Sequence, residues 1–325
     1  MLKIEGLKTY FYTYKGVIKA VDGVDLEIGK GEIFGLVGES GCGKSTVALS
    51  IVRLVSWPPG KIVDGRIIFE GEDLLRKTDE EVRRIRGSKI SMIFQEPTTS
   101  LNPVLTIGDQ IAEAIMLHQN TDRETAKWRT LETLNKVRIA DPKRVSKEYP
   151  HELSGGMMQR AMIAIALSCN PRLLIADEPT TSLDVTIGFE ILQLIKELVN
   201  SIGASVMLIT HDLGIVAEAC DKVAVMYAGH MVEKSDVKRL FENPRHPYTQ
   251  GLLASLPSKS GLAGEKKRLL HVIKGSVPDL INPPQGCRFH PRCESAKELC
   301  KKNKPHLLEI EQGHYVSCLM CNGEG

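Results

Sequence analysis

A glycine-rich loop near the N-terminus has the residue types and spacing that bind phosphate. It follows the apolar run Ile33–Val37 and precedes a helix-like run at residues 47–55. Glycines let backbone amides turn inward around phosphate oxygens, and a helix N-terminus adds positive partial charge. We expect Lys44 to contact the β- and γ-phosphates of a nucleotide and Ser45 to bind Mg²⁺. The residues expected to surround the phosphates are Gly38, Ser40, Gly41, Cys42, Gly43, Lys44, Ser45 and Thr46.

An acidic pair, Asp177 and Glu178, follows a second apolar run at residues 173–176. That run is typical of a buried strand in a parallel sheet, and ligands of such sheets bind beyond the carboxyl ends of the strands. We expect Asp177 to hold Mg²⁺, directly or through water. Glu178 is placed to polarise an attacking water as a general base. The predicted chemistry is hydrolysis of a nucleoside triphosphate.

A third element, Ser154-Gly155-Gly156, precedes an apolar helix at residues 161–168. Its serine and glycines would open that helix with free amides, which predicts a second anion site. The chain thus has two elements for the γ-phosphate but one phosphate loop. This combination predicts a composite site shared between two chains.

Five of the eight cysteines lie between Cys287 and Cys321. In a reducing compartment such a cluster favours a metal over disulfides. Four thiolates suit either an iron–sulfur cluster or zinc, and a tail without metal is the third alternative. The gaps of five and six residues are longer than those usual in structural zinc sites, which favours the cluster. The expected ligands are Cys287, Cys293, Cys300 and Cys318, with Cys321 as an alternative to Cys318.

The elements that must position these residues indicate an α/β fold. Three apolar runs predict buried strands of a parallel sheet, at residues 33–37, 173–176 and 206–209. Residues 97–159 are predicted to be helical, with a capping box from Thr121 to Glu124. Prolines become frequent after about residue 240, which predicts a linker and a small terminal module.

Composition and charge exclude several classes of protein. The 325 residues are 42% hydrophobic and 25% charged, which is ordinary for a globular chain and excludes a disordered or collagen-like one. The formal net charge of +2 gives no support for nucleic-acid binding. No apolar run reaches the length of a membrane span, and the N-terminus lacks a signal-peptide core. We therefore expect a cytosolic protein, or one that docks to a membrane through a partner.

In their order along the chain, the motifs resemble those of the nucleotide-binding subunits of ABC transporters, over about residues 1–235. Residues 38–46 are similar to the Walker A loop, Asp177 and Glu178 to Walker B, and residues 154–157 to the signature. Met157 stands where the family usually has glutamine, and methionine cannot donate the hydrogen bond that glutamine could.

Four shorter elements complete the resemblance. Gln95 is similar to the Q-loop residue, and residues 182–184, which end in Asp184, are similar to the D-loop. His211 corresponds to the switch histidine. Phe11 fits the aromatic position that stacks on adenine, with Tyr12 and Tyr14 as rivals.

The resemblance implies a P-loop NTPase (RecA-like) core with an antiparallel β edge, a helical subdomain and a small cysteine-rich C-terminal module. The implied boundaries are 1–96 and 160–235 for the core, 97–159 for the helical signature subdomain, and 236–325 for the extension. Two subunits would sandwich two ATP molecules head to tail. In each site Glu178 would activate water, His211 would stabilise the γ-phosphate, and Gln95 would bind Mg²⁺ and link the nucleotide to the helical segment.

The resemblance narrows to ATPases of dipeptide and oligopeptide importers, through residues 149–153 before the signature and residues 243–249 and 286–293 in the tail. The implied partners are two transmembrane permease subunits, a second and paralogous ATPase subunit, and a periplasmic or extracellular peptide-binding protein. The implied location is the cytoplasmic face of the inner membrane. A subset of this family holds a [4Fe–4S] cluster in the tail. Nickel and glutathione importers share much of the pattern, and a soluble ABC ATPase that acts on nucleic acid or ribosomes is the remaining alternative.

Overall fold

The computed structural model describes residues 1–181, 183–256 and 273–321. The chain divides into two compact units. Unit 1 contains Met1–Glu27, Phe34–Leu75 and Thr210–Gly325, and unit 2 contains Ile28–Ile33 and Arg76–Ile209. The described strands, in chain order, are β1 (Leu2–Thr13), β2 (Gly16–Ile28), β3 (Ile33–Val37), β4 (Gly60–Phe69), β5 (Glu72–Asp73), β6 (Ile90–Ile93), β7 (Leu173–Asp177), β8 (Ser205–Thr210), β9 (Lys222–Tyr227), β10 (His230–Asp236), β11 (Leu308–Glu311) and β12 (His314–Val316).

The described residues also form helices. In chain order they are α1 (Lys44–Ile51), α2 (Asp79–Ile85), α3 (Pro97–Ser100), α4 (Ile107–Gln119), α5 (Arg123–Lys136), α6 (Pro142–Val145), α7 (Gly155–Leu167), α8 (Val185–Ile202), α9 (Leu213–Ala219), α10 (Val237–Glu242), α11 (Pro247–Ala254) and α12 (Glu298–Lys302). Short 3₁₀ turns lie at Pro150–Glu152 and His290–Arg292.

Unit 1 contains an antiparallel sheet with the strand order β2–β1–β4–β5. β1 pairs antiparallel with β4, from Leu2 opposite Phe69 to Phe11 opposite Gly60. The apolar side chains Leu2, Ile4 and Leu7 of β1 are buried. This sheet is the antiparallel edge that the family resemblance implies.

A second group of strands in unit 1 has the order β11–β12–β10–β9–β3. β3 runs parallel to β9, whereas β10 is antiparallel to both β9 and β12. The cysteine-rich tail therefore adds two strands to the edge formed by β10. In β3 every residue is buried, as expected for a strand covered on both faces.

Unit 2 contains the parallel strands β8, β7 and β6, in that order. All residues of β7 and β8 are buried. The three predicted parallel strands are thus confirmed, and the observed β7 and β8 are one or two residues longer than predicted. Residues 97–159 are largely helical, as predicted.

The predicted start of α5 is wrong by one residue. Asp122, and not Thr121, caps the helix, since its carboxylate accepts the backbone N–H groups of Glu124 and Thr125. Adjacent threonine and aspartate are both good N-cap residues, and the aspartate satisfies two of the free amides here.

Three aromatic side chains, from β9, from α11 and from the segment that precedes Cys293, pack together in unit 1. Tyr227 of β9, Tyr248 of α11 and Phe289 lie with their ring centroids between 4.6 and 5.3 Å apart. All three are buried. The tail is therefore fastened to the core of unit 1 by apolar contacts as well as by strand pairing.

Candidate functional site

The phosphate loop of unit 1 lies between β3 and α1, the strand–loop–helix arrangement that such a loop requires. Two of its glycines have no room for a side chain. A Cβ on Gly38 would lie 2.2 Å from the backbone oxygen of Met226, and one on Gly43 would lie 2.1 Å from that of Ala20. Gly43 also has a φ of 106° and precedes the first turn of α1. The loop is thus held against its neighbours at both ends.

Lys44 points into this loop. Its side chain is buried, and Nζ donates hydrogen bonds to the backbone oxygens of Gly38, at 2.8 Å, and Glu39, at 3.0 Å. These bonds place a fixed positive charge where the loop turns, which is what a bound polyphosphate requires.

Cys42 is the unusual residue among the glycines. Its side chain is buried, and Sγ lies 3.9 Å from Nζ of Lys44. Burial raises the pKa of the Cys42 thiol, so the thiol is neutral near pH 7. Cys42 therefore acts as a small packed residue in this loop.

In unit 2, Glu178 follows the buried Asp177 at the end of β7. Its backbone is left-handed, with a φ of 47°, and its amide donates to the backbone oxygen of Ile209 at 2.9 Å. Positive φ is uncommon for residues other than glycine, and strain of this kind clusters at active sites. The turn places the Glu178 side chain just beyond the end of a buried strand.

Two side chains of unit 2 hold the Glu178 carboxylate. Gln95 Nε2 donates to Glu178 Oε2 at 3.3 Å, and Thr181 Oγ1 donates to the same oxygen at 2.8 Å. Gln95 and Glu178 were both predicted site residues, and the structure brings them together. Thr181 was missed. Its only signal in the sequence is a hydroxyl three residues after the predicted general base, Glu178.

The predicted signature segment caps α7. The Ser154 hydroxyl accepts the amide of Met157 at 3.4 Å, and Ser154 and Gly155 are exposed. The Met157 side chain is partly buried and takes no part in this cap. An exposed helix N-terminus of this kind can bind an anion.

The remaining predicted residues lie apart along the chain. Asp184 is exposed at the start of α8, and His211 is exposed just after β8. Ser182 of the D-loop lies outside the described residues. Phe11 in β1 is partly buried against Gly60, whereas its rival Tyr12 packs edge-on against Trp57 with centroids 5.9 Å apart.

The C-terminal cysteines line one cavity of about 220 Å³ in unit 1. Its wall includes Cys287, Cys293, Cys300, Cys318 and Cys321, all with free thiols. Burial raises the pKa of Cys287 to about 11 and also raises that of Cys293. Metal binding would therefore have to displace protons from these thiols.

The spacing of the side chains around this cavity limits the kind of metal group that they could hold. Among the described residues, no three His, Cys, Asp or Glu side chains converge closely enough to hold a single ion. Tetrahedral zinc needs four ligands within about 2.3 Å of one point. Cysteine thiolates are also the donor type of iron–sulfur clusters, so the residues present match that group by donor type alone.

Comparison with known proteins gives the family. The ABC transporter profile matches residues 21–181, and that of the oligopeptide/dipeptide transporter C-terminal region matches residues 232–300. The oligopeptide transport ATP-binding protein AppD of Bacillus subtilis is 53% identical, over 100% of this chain and 98% of AppD. The chain belongs to the ABC transporter family. The dipeptide transport ATP-binding protein DppD of B. subtilis is 48% identical to this ABC protein, over 98% of this chain and 94% of DppD.

Solved ABC cassettes share the fold. The dimeric cassette MJ0796, in a post-hydrolysis state with ADP and phosphate, superposes with a TM-score of 0.66 and is 29% identical. The match covers 73% of this chain and 99% of MJ0796. CbiO1 of Clostridium perfringens, part of the complex cbiONQ, gives a TM-score of 0.62 at 27% identity and covers 74% of this chain and 90% of cbiO1. The predicted ABC ATPase fold is confirmed, and this ABC protein is an ATPase.

Within residues 1–181, 183–256 and 273–321, no helix combines the length and apolarity needed to cross a bilayer.

Proposed function

We propose that this ABC ATPase powers an importer of dipeptides or oligopeptides. The observation that carries the proposal is similarity along the whole chain, including the C-terminal region, to proteins named for transport of those peptides. Nickel and glutathione remain the alternative solutes within the same family.

The proposed site binds ATP on the Walker A loop, residues 38–46. Lys44 neutralises the β- and γ-phosphates, and Ser45, Asp177 and Gln95 would hold Mg²⁺, which offsets phosphate charge when bound. Glu178 takes a proton from the attacking water, with Thr181 and Gln95 fixing its Oε2. His211 stabilises the transferring γ-phosphate, and Phe11 stacks on the adenine.

The proposed active unit is a head-to-tail pair of ATPase subunits, this chain with a paralogous one. Ser154, Gly155 and Gly156 of one subunit complete the phosphate site of its partner, and Asp184 lies at the same interface. MJ0796 is dimeric, which supports the pairing. ATP favours the closed pair and ADP the open one, so hydrolysis drives the two permease subunits between states.

We place the assembly at the cytoplasmic face of the cell membrane, where the ATPase binds the permeases and an external peptide-binding protein delivers the solute. A reconstitution with all of these subunits in liposomes tests the solute class. We expect the peptide-loaded binding protein to stimulate phosphate release. Stimulation by nickel or by glutathione, with none by peptides, would contradict the proposal.

A second part of the proposal is a [4Fe–4S] cluster in the C-terminal cavity. Cys287, Cys293, Cys300 and Cys318 would hold it, with Cys321 as an alternative to Cys318. The cluster would supply a covalent fastening for a tail that has little core of its own. The cavity lined by these thiols supports the proposal.

Anaerobic purification followed by iron, sulfide and zinc analysis tests the cluster. We expect a brown protein with about four irons per chain, and loss of colour in Cys287→Ser. Cys169→Ser is the matched control, because that cysteine lies outside the cavity. A colourless protein with one zinc per chain would show that the site holds zinc and not an iron–sulfur cluster.

A further inference from the structure

The C-terminal region of unit 1, from residue 236 onward, contacts the Walker A loop through an ion pair. Arg292, directly before Cys293, forms two hydrogen bonds with Glu39, the second residue of the loop. Arg292 Nη1 lies 2.6 Å from Glu39 Oε2, and Nη2 lies 3.0 Å from Oε1. The Arg292 side chain is 5% exposed and that of Glu39 is 28% exposed. Paired N–H donors of this kind fix both the position and the orientation of a carboxylate.

Arg292 is itself held in place. Its Nε donates to the backbone oxygen of Lys274 at 2.9 Å, and Nη2 donates to that of Ile273 at 3.3 Å. The guanidinium also lies 5.7 Å from the ring centroid of the buried Tyr227. A side chain with this many partners acts as a rigid support for Glu39.

Each polar group of Glu39 is engaged. Its amide donates to the hydroxyl of Tyr248 at 3.0 Å, and its carbonyl accepts from Lys44 Nζ at 3.0 Å. The carboxylate is bound by Arg292. The contacts thus run from the C-terminal region through one loop residue to the lysine of the phosphate site.

The negative charge of Glu39 makes its ion pair with Arg292 important for nucleotide binding. A carboxylate in a loop that binds a polyanion repels that polyanion unless a cation offsets its charge. Arg292 is the cation that forms an ion pair with Glu39 in the described residues. Without it, the Glu39 carboxylate would have no ion-pair partner among the described residues.

We propose that Arg292 is a positioning residue for ATP binding, which neutralises Glu39 and holds it in the Walker A loop. Nucleotide affinity is thereby set in part from the C-terminal region. This inference rests on the proposed role of residues 38–46 in binding ATP.

The test measures the dissociation constant of a fluorescent ATP analogue, and KM and kcat for ATP, on the full-length chain with its partner subunits. We expect Arg292→Met to raise the dissociation constant and KM about tenfold, with kcat within about threefold of wild type. In Arg292→Met/Glu39→Gln the repulsive charge is gone, so binding should return to within about threefold of wild type. A purely structural loss would not be rescued by removing a second side chain.

Two variants serve as controls. Glu311→Gln breaks the exposed Arg245–Glu311 pair, which joins two parts of the same C-terminal region without touching the loop, and should leave binding unchanged. Lys44→Ala should abolish binding. If Lys44→Ala binds ATP like wild type, the proposed nucleotide site itself is wrong.

The inference is overturned if Lys44→Ala loses binding while Arg292→Met stays within twofold of wild type. It is also overturned if the double variant binds as weakly as Arg292→Met, since Arg292 would then not act through Glu39. Should Arg292→Met fail to fold, Arg292→Lys decides. Lysine keeps the charge but cannot form the two-bond contact, so we expect about a threefold weaker binding, and wild-type affinity would contradict the inference.

Discussion

At the scale of single residues, the carboxylate of Glu178 is oriented by neighbours from its own unit. Its backbone has positive φ, and its Oε2 accepts hydrogen bonds from Thr181 and Gln95. A general base is effective only if its lone pair faces the proton that it removes. Orientation of this carboxylate should therefore affect turnover more than binding.

Thr181→Val tests this orientation. Valine keeps the shape of threonine but removes the hydroxyl that donates to Glu178 at 2.8 Å. We expect kcat for ATP to fall about three- to tenfold, in line with the loss of one hydrogen bond, with little change in KM. Thr181→Ser, which keeps the hydroxyl, is the matched control. A rise in KM at constant kcat would assign Thr181 to binding instead.

At the scale of elements, a buried contact between a carboxylate and a histidine fastens the C-terminal hairpin, formed by β11 and β12, to β10. Glu233 of β10 and His314 of β12 are fully buried, with His314 Nε2 at 2.7 Å from Glu233 Oε1. The same carboxylate accepts the amides of Arg245 and His246 at 2.7 and 2.9 Å. One side chain thus joins β10, β12 and the start of α11.

Glu233→Ala should therefore destabilise unit 1. It leaves two amides and a histidine buried without their acceptor, which costs about 3 kcal/mol or more. Glu311→Ala removes an exposed carboxylate from the same hairpin, and its cost should stay below about 1 kcal/mol. Chemical unfolding monitored by circular dichroism measures both. Equal effects of the two variants would show that the buried carboxylate is not the fastening group.

The sequence predicts this hairpin less well than the rest of the fold. Ile33–Val37 and the runs before Glu178 and His211 are local patterns of apolar residues, and such patterns determine buried strands directly. The pairing of β12 with β10, and the contact of Arg292 with Glu39, join residues about 80 and 253 positions apart. No local spacing encodes such contacts. For α5, Thr121 and Asp122 both suit the N-cap, and only the hydrogen bonds of the folded chain distinguish them.

At the scale of the whole molecule, buried histidines link stability to pH. His230 lies near Asp22, Arg288 and Lys304, with its Nε2 3.4 Å from Asp22 Oδ2. Burial is the largest influence and lowers the pKa of His230 to about 4, despite the nearby carboxylate. Burial likewise lowers the pKa of His246 to about 3. Both histidines are therefore neutral in the folded protein near pH 7.

We expect the protein to lose stability as pH falls from about 6.5 towards 4. In this window the unfolded chain takes up protons on these histidines and the folded chain does not, so each contributes a slope of up to about 1.4 kcal/mol per pH unit. His230→Asn should make the slope shallower. Unfolding free energies measured at a series of pH values give the slopes, and identical slopes for wild type and His230→Asn would contradict the expectation.

The proposed mechanism depends on Glu178 acting as the general base in ATP hydrolysis. The decisive measurement is phosphate release by Glu178→Gln in the reconstituted importer, beside ATP binding by the same variant. We predict binding within about threefold of wild type and turnover at least about 100-fold lower, because a general base contributes roughly 10²–10⁴. Glu190→Gln, which removes the exposed carboxylate that pairs with Arg160, should behave like wild type. Turnover by Glu178→Gln within about threefold of wild type would contradict the proposed mechanism.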